Sequence, residues 1–285
     1  MRNTTQNTGL AIFGIAFTGL ATVGFMIADA VVRPTVGWLS LMPVYCLAAF
    51  ALLHSLSYLG TGRALWFLAL GLILPYVAEY LGTNFGAVFG SHWFHRVRDL
   101  RVAVGLMLPG HVPFSVVLTW FGTLYIVFIV STYLVRAKSS EPSTIAAMPL
   151  TAGFIMALWQ LSAGPLAVVR SAVSFGQYGF YHGIPLSSFV GWYATAMFVV
   201  LFFLAVEPSA ADAERLAESN LAKRSALWMF VAVMLYPTAM CFRFRMTGAG
   251  WLGIAVVLLA TLAIAIRTRS MAARPHLAEA PTPAA

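Results

Sequence analysis

Apolar residues in this chain run together for about 20 positions at a time, and polar residues collect in the intervals between the runs. Eight such segments can be drawn, at about 9–31, 36–59, 64–90, 103–135, 145–173, 184–206, 225–242 and 249–266. Their length suits an α-helix crossing roughly 30 Å of hydrocarbon, so the spans are helical and not barrel strands. The pattern predicts an all-α fold, a polytopic transmembrane helix bundle of about eight spans, with seven as the alternative. The fourth and fifth segments are over-long and carry Pro109, Pro113, Gly164 and Pro165, so some helices are expected to be broken or re-entrant. Such breaks are tolerated where protein, not lipid, surrounds the freed backbone.

Composition points the same way. Of the 285 residues 60% are hydrophobic and 9% charged, with a mean hydropathy of +0.85, outside the range of soluble domains. No interval between spans is long enough for a soluble domain. Residues 1–270 are therefore expected to form a single integral-membrane domain, and the Ala/Pro-rich tail 271–285 to be disordered. The first run is too long, and its basic flank too weak, for a cleaved signal, so it reads as a retained helix. A net charge of +8 would suggest nucleic acid in a soluble protein. Here the basic residues follow the spans, ten on the side of the N-terminus against seven opposite, which assigns both termini to the cytoplasm. The lipid bilayer is the expected partner, no nucleic acid is, and the sequence fixes no oligomeric state. Cys46 and Cys241 read as two small buried residues, not as a disulfide.

Of the nine acidic residues, eight fall near span ends, in loops or in the tail. Asp29 precedes Arg33 by one turn and is expected to pair with it at the interface; Asp99, Glu141 and Glu279 lie outside the spans. Only Glu79 falls near the middle of a segment. A carboxyl at such depth costs about 2.5–3.5 kcal/mol to insert, which marks it as a functional candidate. Desolvation favours its neutral form, an acid able to donate a proton. The plainer alternative is a neutral Glu that joins two helices. Gly82, Gly86 and Gly90 follow at four-residue intervals, which on a helix gives one small-residue face that a second helix or a flat ligand can approach. His92, His95 and His111 are candidate metal ligands with Glu79, but no H-E-x-x-H or repeated E-x-x-H motif accompanies them. The preferred assignment is an interfacial basic rim of His92, His95, Arg96, Arg98 and Arg101, with no metal.

A second polar cluster lies between Trp159 and Trp192, with Gln160, Arg170, Gln177, Tyr178, Tyr181 and His182 around a Gly-Ile-Pro turn. The loops after the third and fifth spans emerge on one side and are expected to build one site. Phe89, Trp93, Trp120, Trp159 and Trp192 lie near these segments. Aromatic faces stabilise cations, and a cavity with one acid and several rings suits protonation of an alkene, although most rings in such a chain serve packing and interfacial belts. The lysines, Lys138 and Lys223, lie in polar connections, which argues against a retinal Schiff base. No aspartate-rich D-D-x-x-D pattern and no G-x-x-x-x-G-K-[ST] phosphate loop is present.

Together these segments resemble the membrane-bound carotenoid hydratase family, which includes the bisanhydrobacterioruberin and γ-carotene hydratases. The pattern E-x-x-G-x-x-x-G-x-x-F-G is matched by Glu79, Gly82, Gly86, Phe89 and Gly90. A later Val-Pro and Trp fit Val112, Pro113 and Trp120, and the turn before the sixth span fits His182, Gly183, Ile184, Pro185, Leu186, Ser188, Phe189, Gly191 and Trp192. The resemblance covers about residues 75–195 and implies addition of water to the terminal double bond of a long acyclic carotenoid, with no cofactor. This chain departs where the family carries Trp-Asp and Asp-Pro, reading Trp159-Gln160 and Gly164-Pro165, and has His92 where an aromatic residue is usual.

On this basis Glu79 is the expected acid. Tyr178, Tyr181, His182 and Gln160 are expected to orient water or the incipient cation. Gly82, Gly86, Phe89, Gly90, Trp93, Trp120, Trp159 and Trp192 are expected to bind a long-chain isoprenoid or carotenoid in a cytoplasmic membrane of bacterial or archaeal type. A cyclase or isomerase that quenches the cation by proton loss, a non-catalytic carotenoid or lipid binder, and a metal-dependent membrane enzyme stand as alternatives.

Overall fold

A computed structural model describes residues 2–32, 37–95, 105–135, 142–206 and 220–272. Among them are eight helices long and apolar enough to cross a membrane. They are α1 (Arg2–Val31), α2 (Met42–Tyr58), α3 (Thr61–Phe85), α4 (Phe114–Leu134), α5 (Pro142–Val169), α6 (Leu186–Val206), α7 (Asn220–Arg243) and α8 (Thr247–Ala272). The chain is an all-α integral membrane protein. Helix α4 is apolar on every face, as a helix surrounded by others must be. Of its span 78% is buried, against 11% for α1 at the edge, and it packs on α2, α3, α5, α7 and α8.

The two over-long segments resolve differently. In the fourth, residues before Phe114 form a small hairpin, β2 (Met107–Leu108) against β3 (Val112–Pro113) around a 3-10 turn, and the helix starts only after Pro113. The fifth, the other candidate for a break, runs as one helix through Pro149 and Pro165. Proline lacks the N–H that would bond four residues back, so Pro165 frees the Leu161 carbonyl. The Tyr181 hydroxyl donates to that carbonyl at 2.7 Å. The same arrangement recurs in α7, where Pro237 frees the Val233 carbonyl and Trp159 Nε1–H donates to it at 3.2 Å. Each exposed acceptor is thus satisfied within the bundle.

Strand β1 (His92–Phe94), after α3, pairs antiparallel with β4 (Val173–Phe175), after α5, in the register His92↔Phe175, Trp93↔Ser174 and Phe94↔Val173. The two loops expected to share a membrane side are therefore joined by backbone hydrogen bonds. Helix α8 continues to Ala272, so residues 271 and 272 are helical. The rest of the tail with Glu279, and Arg33, Arg96, Arg98, Asp99, Arg101, Lys138 and Glu141, lie outside the described residues. Both cysteines are free.

Arg33, the partner expected for Asp29, lies outside the described residues, and the partners of Asp29 among them are of longer range. Asp29 is buried, Arg170 Nη2 donates to its Oδ2 at 2.6 Å, and the Tyr236 hydroxyl donates to the same oxygen. Arg243 donates to the Val32 carbonyl at 3.0 Å and covers the end of α1. These contacts tie α1 to α7 and to the turn that leads into β4. Removing one partner of a buried ion pair strands the other charge. Asp29→Ala is therefore expected to destabilise the protein by about 3 kcal/mol, read as a lower melting temperature in detergent. A melting temperature equal to wild type would refute this role.

Candidate active site

Glu79 sits on α3 and its side chain is buried. Because α3 ends at Phe85, the acid lies within two turns of the helix end and not at mid-span. Both carboxyl oxygens are engaged. Trp120 Nε1–H, from α4, donates to Oε1 at 2.8 Å, and His92 Nε2 lies 2.9 Å from Oε2. On its other side the imidazole places Nδ1 2.9 Å from the Gly90 carbonyl. A carbonyl only accepts, so Nδ1 carries a proton. The contact between Nε2 and Oε2 then holds one further proton, either on a neutral carboxyl or on a charged imidazolium. Burial alone would lower the His92 pKa, but the hydrogen bond and charge of Glu79, followed by the Gly90 carbonyl, outweigh it and leave it raised.

The glycines make this contact possible, though not as one helical face. Gly86 closes α3 in the left-handed conformation with φ 70°, so the helical spacing ends there and Gly90, with φ 80°, lies in the loop. A Cβ at Gly82 would stand 2.4 Å from His92 Cε1, so the missing side chain is the space the imidazole fills. His92 therefore does not belong to a surface basic rim. It is 2% exposed and packs at ring-centroid distances of 5.9 Å from Phe89 and 5.2 Å from Phe94.

Glu79 and His92 face a cavity of about 190 Å³ lined by α3, α4, α5, α6 and the β1–β4 pair. The walls are mainly apolar, and Trp159, Trp192 and Phe89 supply the rings. Trp192 stacks on Trp120 with centroids 3.8 Å apart and planes 14° apart, and Trp159 lies 5.3 Å from Trp192. Gln160 is 5% exposed and lines the same cavity. Its amide has no hydrogen-bond partner among the described residues, so it can both donate to and accept from a small polar guest.

Of the residues singled out from the sequence, Glu79, Phe89, Gln160, Trp159 and Trp192 line the cavity, and Trp120 stands behind it on the carboxyl. Others lie elsewhere. Trp93 is exposed and covers Gly176, because alternation along β1 turns it away from His92. Tyr178 is 95% exposed, and His182 is exposed at the tip of the turn held by the Tyr181–Ile184 bridge. Tyr181 gives its proton to the Leu161 carbonyl, and burial, aided by nearby Cys241, pushes its pKa up to about 12. None of these three reaches Glu79. His95 bonds Ser174 Oγ at 2.9 Å and is exposed, as is His111, and the described residues contain no cluster of three or more metal-ligating side chains. His92, Ser188, Phe94 and Phe175 line the cavity without having been assigned there from sequence. The available sign for His92 was Gly82, a small residue one turn beyond a buried acid.

A family model described as carotenoid biosynthesis protein matches residues 36–260, and the chain belongs to that family. No curated protein and no solved structure shows significant similarity to it.

Two outcomes follow from this geometry. Alanine in place of an exposed helical glycine usually gains up to about 1 kcal/mol, but Gly82→Ala is expected to lower both activity and melting temperature by displacing His92; unchanged values would contradict the packing. Because the His92 pKa is raised, its contribution to stability is full below the unfolded histidine value and fades as pH rises through the folded one. The melting temperature should fall over that interval in the wild type and fall less in His92→Gln, and equal slopes would count against the pair.

Proposed function

We propose that this carotenoid biosynthesis protein adds water to the terminal carbon–carbon double bond of a long acyclic carotenoid or related isoprenoid, with Glu79 as the acid. The observation that carries this reading is a buried carboxyl facing an aromatic-walled cavity of limited size. An apolar cavity of about 150 Å³ holds benzene, and a water takes about 30 Å³. The 190 Å³ here suits one five-carbon prenyl end and one water, while the rest of a polyene stays outside.

Protonation of a terminal trisubstituted alkene gives a tertiary cation. The rings of Trp159 and Trp192, which line the cavity, would stabilise such a charge, and the mainly apolar walls offer few sites to hold competing water. The unpaired amide of Gln160 favours hydration over the cyclase or isomerase reading, since a water held there can quench the cation.

Expression in a host that makes acyclic carotenoids, followed by mass analysis of the pigments, tests this directly. The expected product is heavier than the substrate by one water, and Glu79→Gln should abolish it while leaving the protein folded. An isomer of unchanged mass would favour cyclisation or isomerisation. A pigment that co-purifies unchanged, with no turnover, would identify a binder.

A further inference from the structure

Resting on the hydration reading above, we propose that His92 is the catalytic base of this site, and that Glu79 and His92 act as one pair carrying a single transferable proton. Three observations carry it. The Gly90 carbonyl fixes the Nδ1 proton and leaves Nε2 as the nitrogen that exchanges with Glu79 Oε2. Trp120 occupies Oε1 and remains on the carboxylate after its proton has left. Glu79 and His92 are the titratable side chains that line the cavity among the described residues. The groups facing them from α4, α5, α6 and β4 are uncharged, Thr119, Gln160, Trp192, Ser188 and Phe175 among them.

The steps balance without any outside acid or base. Glu79 Oε2 gives the shared proton to the less substituted carbon of the terminal double bond, the π pair forms the new C–H bond, and a tertiary cation remains beside a carboxylate and a neutral imidazole. Water bound at Gln160 then forms the C–O bond with a lone pair and releases one proton to His92 Nε2. The product is a tertiary alcohol, and the pair again holds one proton. If water does not add, Nε2 can instead remove a proton from the carbon next to the cation, which returns an isomeric alkene. The same base thus serves both outcomes, and the water held at Gln160 decides between them.

Two measurements test the assignment. In the wild-type protein, kcat against pH should be bell-shaped. At low pH a second proton occupies the pair and leaves no base, and at high pH loss of the shared proton leaves no acid; the two midpoints belong to the pair. A profile that falls only on the alkaline side would overturn the role of His92. His92→Gln and His92→Phe are expected to lower formation of the hydrated product, and of any isomer with it, about 100-fold. Variants with the wild-type rate would equally overturn it. The pH profile reports on the pair whichever product the wild type forms, while product mass reports on hydration, so the two ideas fail separately.

Discussion

A carboxyl taken out of water needs a partner for each oxygen, and much of this bundle is arranged around providing two for Glu79. The donors come from different parts of the chain, Trp120 from α4 and His92 from the loop after α3. Each makes a demand on its surroundings. Trp120 is wholly buried, and it can hold the carboxyl only if α4 runs through the centre of the bundle. His92 can reach back over the end of α3 only because Gly82 has no side chain and Gly86 turns the chain left-handed. Strand β4 then fastens the loop by pairing with β1.

The same logic of satisfying every polar group explains positions that had seemed chemical. Tyr181 and Trp159 cap carbonyls that Pro165 and Pro237 leave open, which allows α5 and α7 to carry proline without breaking. Trp159 does this while presenting its ring to the cavity, so one side chain joins helix integrity to the shape of the site. Asp29 serves a comparable purpose near the end of α1, where Arg170 and Tyr236 share its carboxylate. In a membrane protein a buried polar residue is an instruction about a partner, and proline is an instruction about a carbonyl.

This also separates what could be read from the sequence from what could not. The number and order of spans, the depth of Glu79 to within two turns, and the shared side of the loops after α3 and α5 all follow from hydropathy and spacing. So does the gathering of Trp159, Gln160 and Trp192, since they lie on helices that flank those loops. Hydropathy does not encode direction, however. Nothing local distinguishes His92, turned inward to 2% exposure, from Trp93, its more apolar neighbour, turned outward to 51%. That difference is set by the register of β1 on β4, a contact between segments about 80 residues apart. The direction of Tyr178 and His182 is likewise not encoded locally. A turn rich in polar aromatic residues resembles a site, but both side chains are exposed at the tip of the turn closed by the bridge between Tyr181 and Ile184, and neither lines the cavity.

The central claim is that a proton from this carboxyl, and not an oxidant or a free-solvent acid, starts the reaction. Turnover of an acyclic carotenoid by the purified protein in deuterated water, with the product analysed by mass and NMR, tests it most directly. The account predicts one deuterium bound to the carbon next to the new carbinol, and none in Glu79→Gln, which forms no product. A hydroxylated product with no carbon-bound deuterium, or equal deuteration by the Glu79→Gln protein, would contradict it.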